Sequence, residues 1–358
     1  MSWKTRFVTQ FPAKVPLMAA PMAGVSGGEL ASEACRAGAL GFIAAGHMTT
    51  DSRLQELEAE IAIFRAKATK EAPLCIGWIG FSSFHTEQGF DIYERILKQQ
   101  KPAVVQFFAP AISYHPTTGK SNVEIAKEIG NTKVLLQVGN VKEGEEAIAA
   151  GADGIIAQGS EGGGHGLRRE VGNGTLPLAA RMVKLAAAAP HKPLVLAAGG
   201  IADGRGVAAA LALGCDAAVL GTRLWASKEA LNKDVLKQQL VVTKSGDGVH
   251  RTRVFDQIQN VYLNPPWPEP YDSCGALRNE LSEAWDGKPS ELAAELSREG
   301  STVVEEYKAA SKKGDHSQAQ VLAGEGVGEI ESIDAAYEIL MQVDKEAREV
   351  IANLPKLL

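Results

Sequence analysis

Five glycines surround one histidine in residues 157–166, which read AQGSEGGGHG and follow a short apolar run. Glycine lets a backbone adopt positive φ and lie close to a ligand, at an entropic cost that an ordinary turn does not need so many times over. Histidine is the residue type whose unperturbed pKa suits proton transfer near neutral pH. The stretch predicts a binding loop with His165 as a catalytic base; a long flexible loop with a solvated histidine is the alternative.

Two further glycine motifs predict a phosphate site. Residues 197–203 read AAGGIAD and residues 220–223 read LGTR, each at the end of an apolar run. Backbone N–H groups that glycines leave exposed bind phosphate well. We expect these groups, the Thr222 hydroxyl and the Arg223 guanidinium to converge on one anion, although two ordinary glycine turns would share the pattern.

A third motif ends the first apolar run with small side chains and a proline: residues 18–24 read MAAPMAG. Such a segment leaves a flat apolar surface against which a planar ring can lie, although a plain strand-to-helix turn is equally compatible. A flat ring at one end and a phosphate at the other describe FMN. The three motifs together therefore predict FMN as the cofactor.

Eight short apolar runs must position these motifs, and segments with helical character separate them. The runs are residues 16–20, 40–45, 74–80, 103–109, 134–138, 154–157, 193–198 and 217–220. Near-continuous apolar runs are typical of strands buried on both faces of a parallel sheet. Gly38, Gly151 and Gly214 each end a helical segment just before a run, as compact connections require. The predicted fold class is α/β, a (β/α)8 TIM barrel with its site at the carboxyl ends of the strands.

The alternating pattern stops after residue 240. Residues 262–271 are rich in proline and aromatic residues, and charged helical stretches follow around residues 277–296 and 333–354. We therefore predict that residues 1–240 form an FMN-binding barrel. Residues 241–358 are predicted to form an appended, mostly helical region, either a helical extension or a small substrate-side domain packed on the barrel.

Composition and charge narrow the class of protein. The chain has 358 residues, 45% of them hydrophobic, and a net charge of −6. Without a basic block we expect no nucleic-acid partner, and without a run of ~18 apolar residues we expect no membrane association. Four cysteines without a C-x-x-C pair indicate reduced thiols and a cytoplasmic protein, and no Cys/His spacing predicts a metal site. A homodimer is left open.

These motifs resemble those of the nitronate monooxygenases, formerly called 2-nitropropane dioxygenases. The resemblance rests on residues 20–24, 157–165, 198–201, 220–223 and 323–328, in the same order as in that family. It implies FMN-dependent oxidation of alkyl nitronates, and possible use of neutral nitroalkanes, by dioxygen. Carbonyl compounds and nitrite are the implied products, formed through one-electron reduction of the flavin.

The same resemblance implies roles for individual residues. His165 takes a proton from the carbon beside the nitro group, or orients the nitronate. The residues implied at FMN are Ala20, Pro21, Met22, Gln137, Gln158, Gly163, Gly164, Ala198, Gly199, Gly200, Gly221 and Thr222. The last four of these are implied to bind the FMN phosphate. Gln137 either reaches the flavin edge or is a polar residue of the core.

The third predicted strand departs from the resemblance. Many relatives carry an asparagine at its end, whereas residues 77–85 read GWIGFSSFH, which leaves the flavin contact there open. Five further side chains are expected either to pack in the core or to shape the pocket: those of Trp78, Phe81, Phe107, Phe108 and His115. His47 and His85 also follow strand ends and are secondary candidates for the site.

Two other functions are compatible with the same residues. The glycine and histidine stretch also resembles NAD(P)H-dependent flavin reductases of this barrel group, which act on enoyl-acyl-carrier-protein or quinones. The third interpretation is a non-catalytic flavin-binding barrel in which His165 only satisfies a hydrogen bond.

Overall fold

A computed structural model describes residues 2–47, 50–130 and 132–357. The strands in these residues are β1 (Leu17–Ala19), β2 (Ile43–Gly46), β3 (Cys75–Ile79), β4 (Val104–Phe108), β5 (Lys133–Val138), β6 (Gly154–Gln158), β7 (Gly164–His165), β8 (Leu194–Ala198), β9 (Ala217–Leu220), β10 (Val249–Thr252) and β11 (Cys274–Leu277).

The α-helices are α1 (Arg6–Gln10), α2 (Gly28–Arg36), α3 (Asp51–Lys67), α4 (Gly80–Ser83), α5 (Glu87–Gln100), α6 (Asn122–Ile129), α7 (Val141–Ala149), α8 (Thr175–Ala188), α9 (Gly204–Ala212), α10 (Thr222–Trp225), α11 (Asp234–Val242), α12 (Val254–Gln259), α13 (Glu280–Trp285), α14 (Pro289–Ser297), α15 (Val303–Lys313) and α16 (Ala336–Asn353). Among the described helices, none is long and apolar enough to cross a membrane.

Eight parallel strands form one curved sheet in the order β1-β9-β8-β6-β5-β4-β3-β2. The two ends of this row meet where Leu40 forms a parallel bridge with Met18 of β1. Each strand overlaps one of the predicted apolar runs, and helices alternate with the strands along the chain. The predicted (β/α)8 fold is therefore confirmed, with β2 starting at Ile43 rather than at Leu40.

The connections use the residues that their backbone geometry requires. Gly38, Gly151 and Gly214 follow helices at φ values of 84°, 79° and 98°, a left-handed conformation that favours glycine. The side chains of Asn140 and Asp203 cap the first turns of α7 and α9. Short, well-capped connections hold the strand ends, and the loops that follow them, in fixed positions.

The amino end of the barrel is filled by α1. Phe7 and Phe11 stack with ring centroids 5.5 Å apart. They belong to the same buried cluster as Cys75, Val104 and Leu135, which lie at or near the starts of their strands. Because side chains fill this end, the space for a ligand lies at the opposite, carboxyl end.

The appended region contains strands as well as the predicted helices. Strands β10, β11 and β7 form an antiparallel sheet in the order β10-β11-β7, which the sequence did not predict. In its register Cys274 lies opposite His165, and Gly275 opposite Gly164. Farther along the chain, α16 returns to pack against α9 and α2 of the barrel. The glycine and histidine loop is thereby tied to the appended region.

Candidate active site

A cavity of about 370 Å³ opens at the carboxyl ends of the barrel strands. Its wall includes every residue that the sequence places at the cofactor, together with the predicted base: Ala20, Pro21, Met22, Gln137, Gln158, Gly163, Gly164, His165, Ala198, Gly199, Gly200, Gly221 and Thr222. The appended region contributes Gln259, Leu263, Trp267 and Leu322 to the same wall. The roles of these residues stay predictions, but the structure brings them together around one space.

Backbone groups form the end of the cavity where the sequence predicts a phosphate. Gly199 and Gly200 have φ values of 106° and 71°, which turn the chain sharply after β8. The N–H groups of Gly200 and Ile201 have no hydrogen-bond partner within the described part of the chain. Thr222 begins α10, so its N–H lacks an intrahelical acceptor. These donors are available to the oxygen atoms of an anion.

Close packing requires a glycine at position 163. A Cβ atom there would lie 2.6 Å from the carbonyl carbon of Ala323 and 2.9 Å from the Thr222 hydroxyl oxygen. That hydroxyl accepts a hydrogen bond from the N–H of Gly324 at 3.0 Å. Three glycine-containing segments, distant in sequence, therefore meet at the end of the cavity where the sequence predicts a phosphate. They leave no room for a side chain at position 163.

The expectation that the Arg223 guanidinium joins the phosphate site is wrong. Arg223 donates to the carbonyl of Ser332 at 3.2 Å and approaches the Asp334 carboxylate at 3.5 Å. It does not line the cavity as the structure describes it. The side chain instead anchors the segment that leads into α16, which leaves backbone N–H groups and a hydroxyl as the donors at this end of the cavity.

The flat wall predicted beside the first strand packs against β3. A Cβ atom at Gly77 would lie 2.5 Å from the ring of Pro21, so only glycine fits between the two strands here. Gly77, Trp78 and Ile79 line the cavity at the end of β3. None of these three carries a side-chain amide, so the contact that many relatives make with asparagine is absent from this position.

Three glutamines on neighbouring strands form a continuous row of hydrogen bonds. Gln106 Nε2 donates to Gln137 Oε1 at 3.0 Å, and Gln137 Nε2 donates to Gln158 Oε1. Gln158 Nε2 then donates to the carbonyl oxygen of His165 at 3.2 Å. Because a carbonyl only accepts, it sets the direction of every amide in the row. The row leaves Gln106 Oε1 buried and without a partner among the described residues.

His165 is held by an aspartate from the appended region. Its Nε2 lies 2.6 Å from Oδ1 of Asp256, a residue of α12 whose side chain is 1% exposed. Trp267 lies flat on the imidazole, with ring centroids 3.6 Å apart. Sequence reasoning missed both partners, which lie 91 and 102 residues beyond His165 in no recognisable motif. The proline-rich stretch around Trp267 was the only available signal.

A buried thiol adjoins this pair. Cys274 Sγ, a ring nitrogen of His165 and an Asp256 oxygen all lie within 4.8 Å of one another. Burial raises the pKa of the Cys274 thiol well above its ordinary value, with Asp256 adding to the effect. These residue types can bind metals, but the 2.6 Å separation between His165 and Asp256 is that of a hydrogen bond. We interpret His165 and Asp256 as a hydrogen-bonded pair with the Cys274 thiol beside it.

His47 also lines the cavity, as one of the two secondary histidines. Its Nδ1 lies 2.8 Å from the Ser82 hydroxyl, and its ring packs edge-on against Trp267 and Phe81. Burial, together with the nearby His165 and Arg53, lowers the pKa of His47 to about 4. His47 is therefore neutral near pH 7.

Arg251 supports the glycine and histidine loop from beneath. Its guanidinium donates to the carbonyls of Ser160 at 3.2 Å, Gly162 at 2.7 Å and Gly164 at 3.4 Å, and to that of Ser273 at 3.1 Å. A planar fork of five N–H donors suits several carbonyls at once. This single side chain joins the loop to the strand of the appended region beside it, and no sequence motif indicated it.

The other candidate side chains divide between the cavity and the core. Phe108 and Trp78 contact the cavity, and Phe81 packs on Trp267 beside it. Phe107 is buried in the core against Trp78. His85 is exposed and bonds the carbonyl of Ser82, and His115 packs on Phe90. Of the two secondary histidines, only His47 reaches the site.

Fold and cavity define an α/β-barrel enzyme with its site at the carboxyl ends of the strands. The nitronate monooxygenase family profile matches residues 4–346. The nitronate monooxygenase of Neurospora crassa is 30% identical over 98% of this chain and 94% of its own length. That of Pseudomonas aeruginosa is 31% identical over 81% of this chain and 95% of its own length. The chain therefore belongs to the nitronate monooxygenase family and is a flavin-dependent oxidoreductase.

Solved structures share the whole architecture. FabK of Thermotoga maritima has a TM-score of 0.74 at 25% identity, over 99% of this chain and 100% of that one. The nitroalkane oxidase of Streptomyces ansochromogenes also has a TM-score of 0.74 at 25% identity, over 97% and 99%. Since both alignments span nearly the full length, the barrel and the appended region form one common fold.

Proposed function

We propose that this protein oxidises small alkyl nitronates, and the corresponding neutral nitroalkanes, with FMN as cofactor and dioxygen as co-substrate. In this reaction the C=N bond of the nitronate is replaced by C=O, and nitrite leaves with the nitrogen. Dioxygen supplies the oxygen atom and accepts the electrons. The observation that carries the proposal is the position of His165, a base on the wall of the cavity that the glycine motifs line.

The residues of the cavity fit FMN. The free N–H groups of Gly200, Ile201 and Thr222 suit its phosphate. The flat segment from Ala20 suits a planar ring. When bound, FMN supplies the electron-accepting chemistry that no side chain provides.

The remaining chemistry belongs to His165 and its surroundings. A neutral nitroalkane must lose a proton from the carbon beside the nitro group, and the imidazole of His165 accepts it. On the described wall, His47 and His165 are the only titratable side chains. With His47 neutral, no second charge competes for the proton, and the apolar side chains of Leu263, Trp267 and Leu322 exclude water.

Anaerobic mixing of the purified protein with ethylnitronate in one cuvette and NADH in another tests the proposal. We expect ethylnitronate alone to bleach the visible flavin absorption, and aerobic turnover to release nitrite. Bleaching by NADH alone would contradict the proposal in favour of the NAD(P)H-dependent reductase, the second candidate. Release of the bound flavin and its mass would identify FMN, and a protein without flavin would contradict both functions.

A His165→Ala variant separates catalysis from binding. We expect it to retain FMN while turnover of neutral nitroethane falls about 10²-fold or more, because general-base catalysis contributes that much. Ethylnitronate, already deprotonated, should lose far less. His115→Ala, which changes a partly buried histidine away from the cavity, is the control. Equal losses on both substrates would assign His165 to substrate binding, and unchanged turnover would favour a binding module.

We also propose that the protein works in the cytoplasm. Its four cysteines are all free, and three of them are buried, so none depends on an oxidising compartment. Fractionation of the source cells with an antibody tests this location. The possibility of a homodimer stays a prediction, for which sedimentation of the purified protein is the test.

A further inference from the structure

Three side chains of the appended region converge on His165, and the proposed function assigns none of them a role in the proton transfer. Asp256 approaches Nε2, Trp267 covers one face of the ring, and Cys274 lies beside Asp256. All three come from residues 241–358, which contain no motif of the barrel. Their convergence on a single imidazole calls for a chemical explanation.

The first step concerns the proton between His165 and Asp256. An ionised carboxylate only accepts hydrogen bonds, so at a separation of 2.6 Å it requires a proton on Nε2. The guanidinium of Arg251 lies close enough to Asp256 to interact with its carboxylate. The second carboxylate oxygen, Oδ2, is buried without a hydrogen-bond partner within the described chain, and the Cys274 thiol lies close to the same carboxylate.

The second step concerns the other ring nitrogen. With a proton on Nε2, the lone pair of a neutral imidazole lies on Nδ1. Nδ1 has no hydrogen-bond partner among the described residues and is not a buried atom, while the ring lines the cavity. Trp267 lies parallel to the ring within 7°, which opposes the rotation that would exchange the two nitrogens.

We propose that Asp256 is a positioning residue that fixes the tautomer of His165, so that the base acts through Nδ1. The inference rests on the proposed function for the identity of the reaction. The C–H bond of the nitroalkane breaks, its electron pair stays on the carbon as the nitronate, and the proton passes to Nδ1. Asp256 keeps its hydrogen bond to Nε2–H and balances the imidazolium charge. The appended region thus contributes half of the proton-transfer unit.

Nitrogen-15 NMR of the holoenzyme labelled at histidine tests the tautomer without any substrate. His165→Gln assigns the resonances. We expect Nε2 in the N–H range with a strongly hydrogen-bonded proton, and Nδ1 in the range of an unprotonated ring nitrogen. A proton on Nδ1 with an unprotonated Nε2 would overturn the proposal. This result does not depend on turnover, so it stands even if the protein proves not to oxidise nitronates.

Asp256→Asn tests the consequence for catalysis. We expect kcat with neutral nitroethane to fall about 10²-fold, while kcat with ethylnitronate changes less than about threefold and FMN stays bound. Asp216→Asn, which neutralises a buried carboxylate paired with Arg6 at the amino end of the barrel, is the matched control and should affect neither substrate. Equal losses on the two substrates for Asp256→Asn would mean a merely structural role. If that variant fails to fold, the NMR result on the unchanged enzyme decides whether His165 has the proposed tautomer.

Discussion

Trp267 and His165 lie face to face, with ring centroids 3.6 Å apart and planes within 7° of parallel. The tryptophan is carried by a proline-rich segment whose position is secured on both sides. Asn260 accepts a hydrogen bond from the backbone N–H of Trp267 at 2.9 Å. Farther along, Asp272 receives two hydrogen bonds of 2.7 Å from Arg168, which follows the histidine loop. The indole is therefore a fixed surface for the imidazole.

Trp267→Ala should lower kcat/KM for neutral nitroethane about fivefold, because a stack of this kind contributes about 1 kcal/mol to holding the ring. Trp267→Phe should recover part of the loss. Trp285→Ala, which removes an indole from the helical cluster of the appended region, serves as the control. Steady-state kinetics measures the effect. An unchanged rate for Trp267→Ala would show that His165 keeps its orientation without the stack.

Gly163→Ala should weaken FMN binding more than tenfold, since the new Cβ would overlap the backbone of Ala323 and Gly324 at 2.6 Å. The matched control is Gly130→Ala, where the nearest atom to a new Cβ is the Thr132 hydroxyl at 3.8 Å. Titration of each apoprotein with FMN, followed by the quenching of flavin fluorescence, gives the dissociation constants. Equal values for the two variants would contradict the close approach described here.

The row of glutamines predicts an order of stabilities. Gln137→Leu leaves Gln106 Nε2 and Gln158 Oε1 both unpaired, whereas Gln106→Leu leaves only Gln137 Oε1. Because each buried unpaired group costs about 1–3 kcal/mol, Gln137→Leu should lower the free energy of unfolding by more than Gln106→Leu. Urea unfolding in excess FMN measures both. The reverse order would show that the row does not run as a single chain.

His47 should make stability depend on pH. Its folded pKa of about 4 lies below the ordinary value of 6.5, so the unfolded chain binds the proton first as the pH falls. The contribution is complete above about pH 6.5 and is lost as the pH falls through 4, by about 3 kcal/mol in total. His47→Gln should flatten this dependence in urea unfolding between pH 7 and 4.5. Parallel curves for the two proteins would rule out the lowered pKa.

Local patterns made the barrel and its loops predictable. Apolar runs identify strands buried on both faces, and the glycines at positions 199, 200 and 163 stand where φ or close packing excludes a side chain. Both kinds of signal lie within a few residues of the feature that they determine. That the glycine turns and His165 line one cavity could thus be inferred from the amino-acid sequence alone, while the phosphate site stays a prediction.

The partners of His165 could not be inferred in the same way. Asp256 is one acidic residue on a short helix, and it reaches His165 only because β11 pairs with β7. That pairing joins a two-residue strand to another more than a hundred residues away, and so short a strand has no periodicity to detect. For Arg223 the sequence suggested a contact that the fold does not make. Its proximity in sequence to Gly221 and Thr222 suggested a phosphate contact, but the side chain points towards Asp334.

Phe7 and Phe11 close one end of the barrel, so that every molecule entering or leaving passes beside the appended region. From that region, Leu263, Trp267 and Leu322 line the cavity. The glycine turns after β8 and β9, where the sequence predicts a phosphate, belong to the barrel. Substitutions at Leu263, Trp267 and Leu322 can therefore change the lining of the cavity while the glycine turns are retained. The two parts of the chain can thus diverge at different rates in evolution.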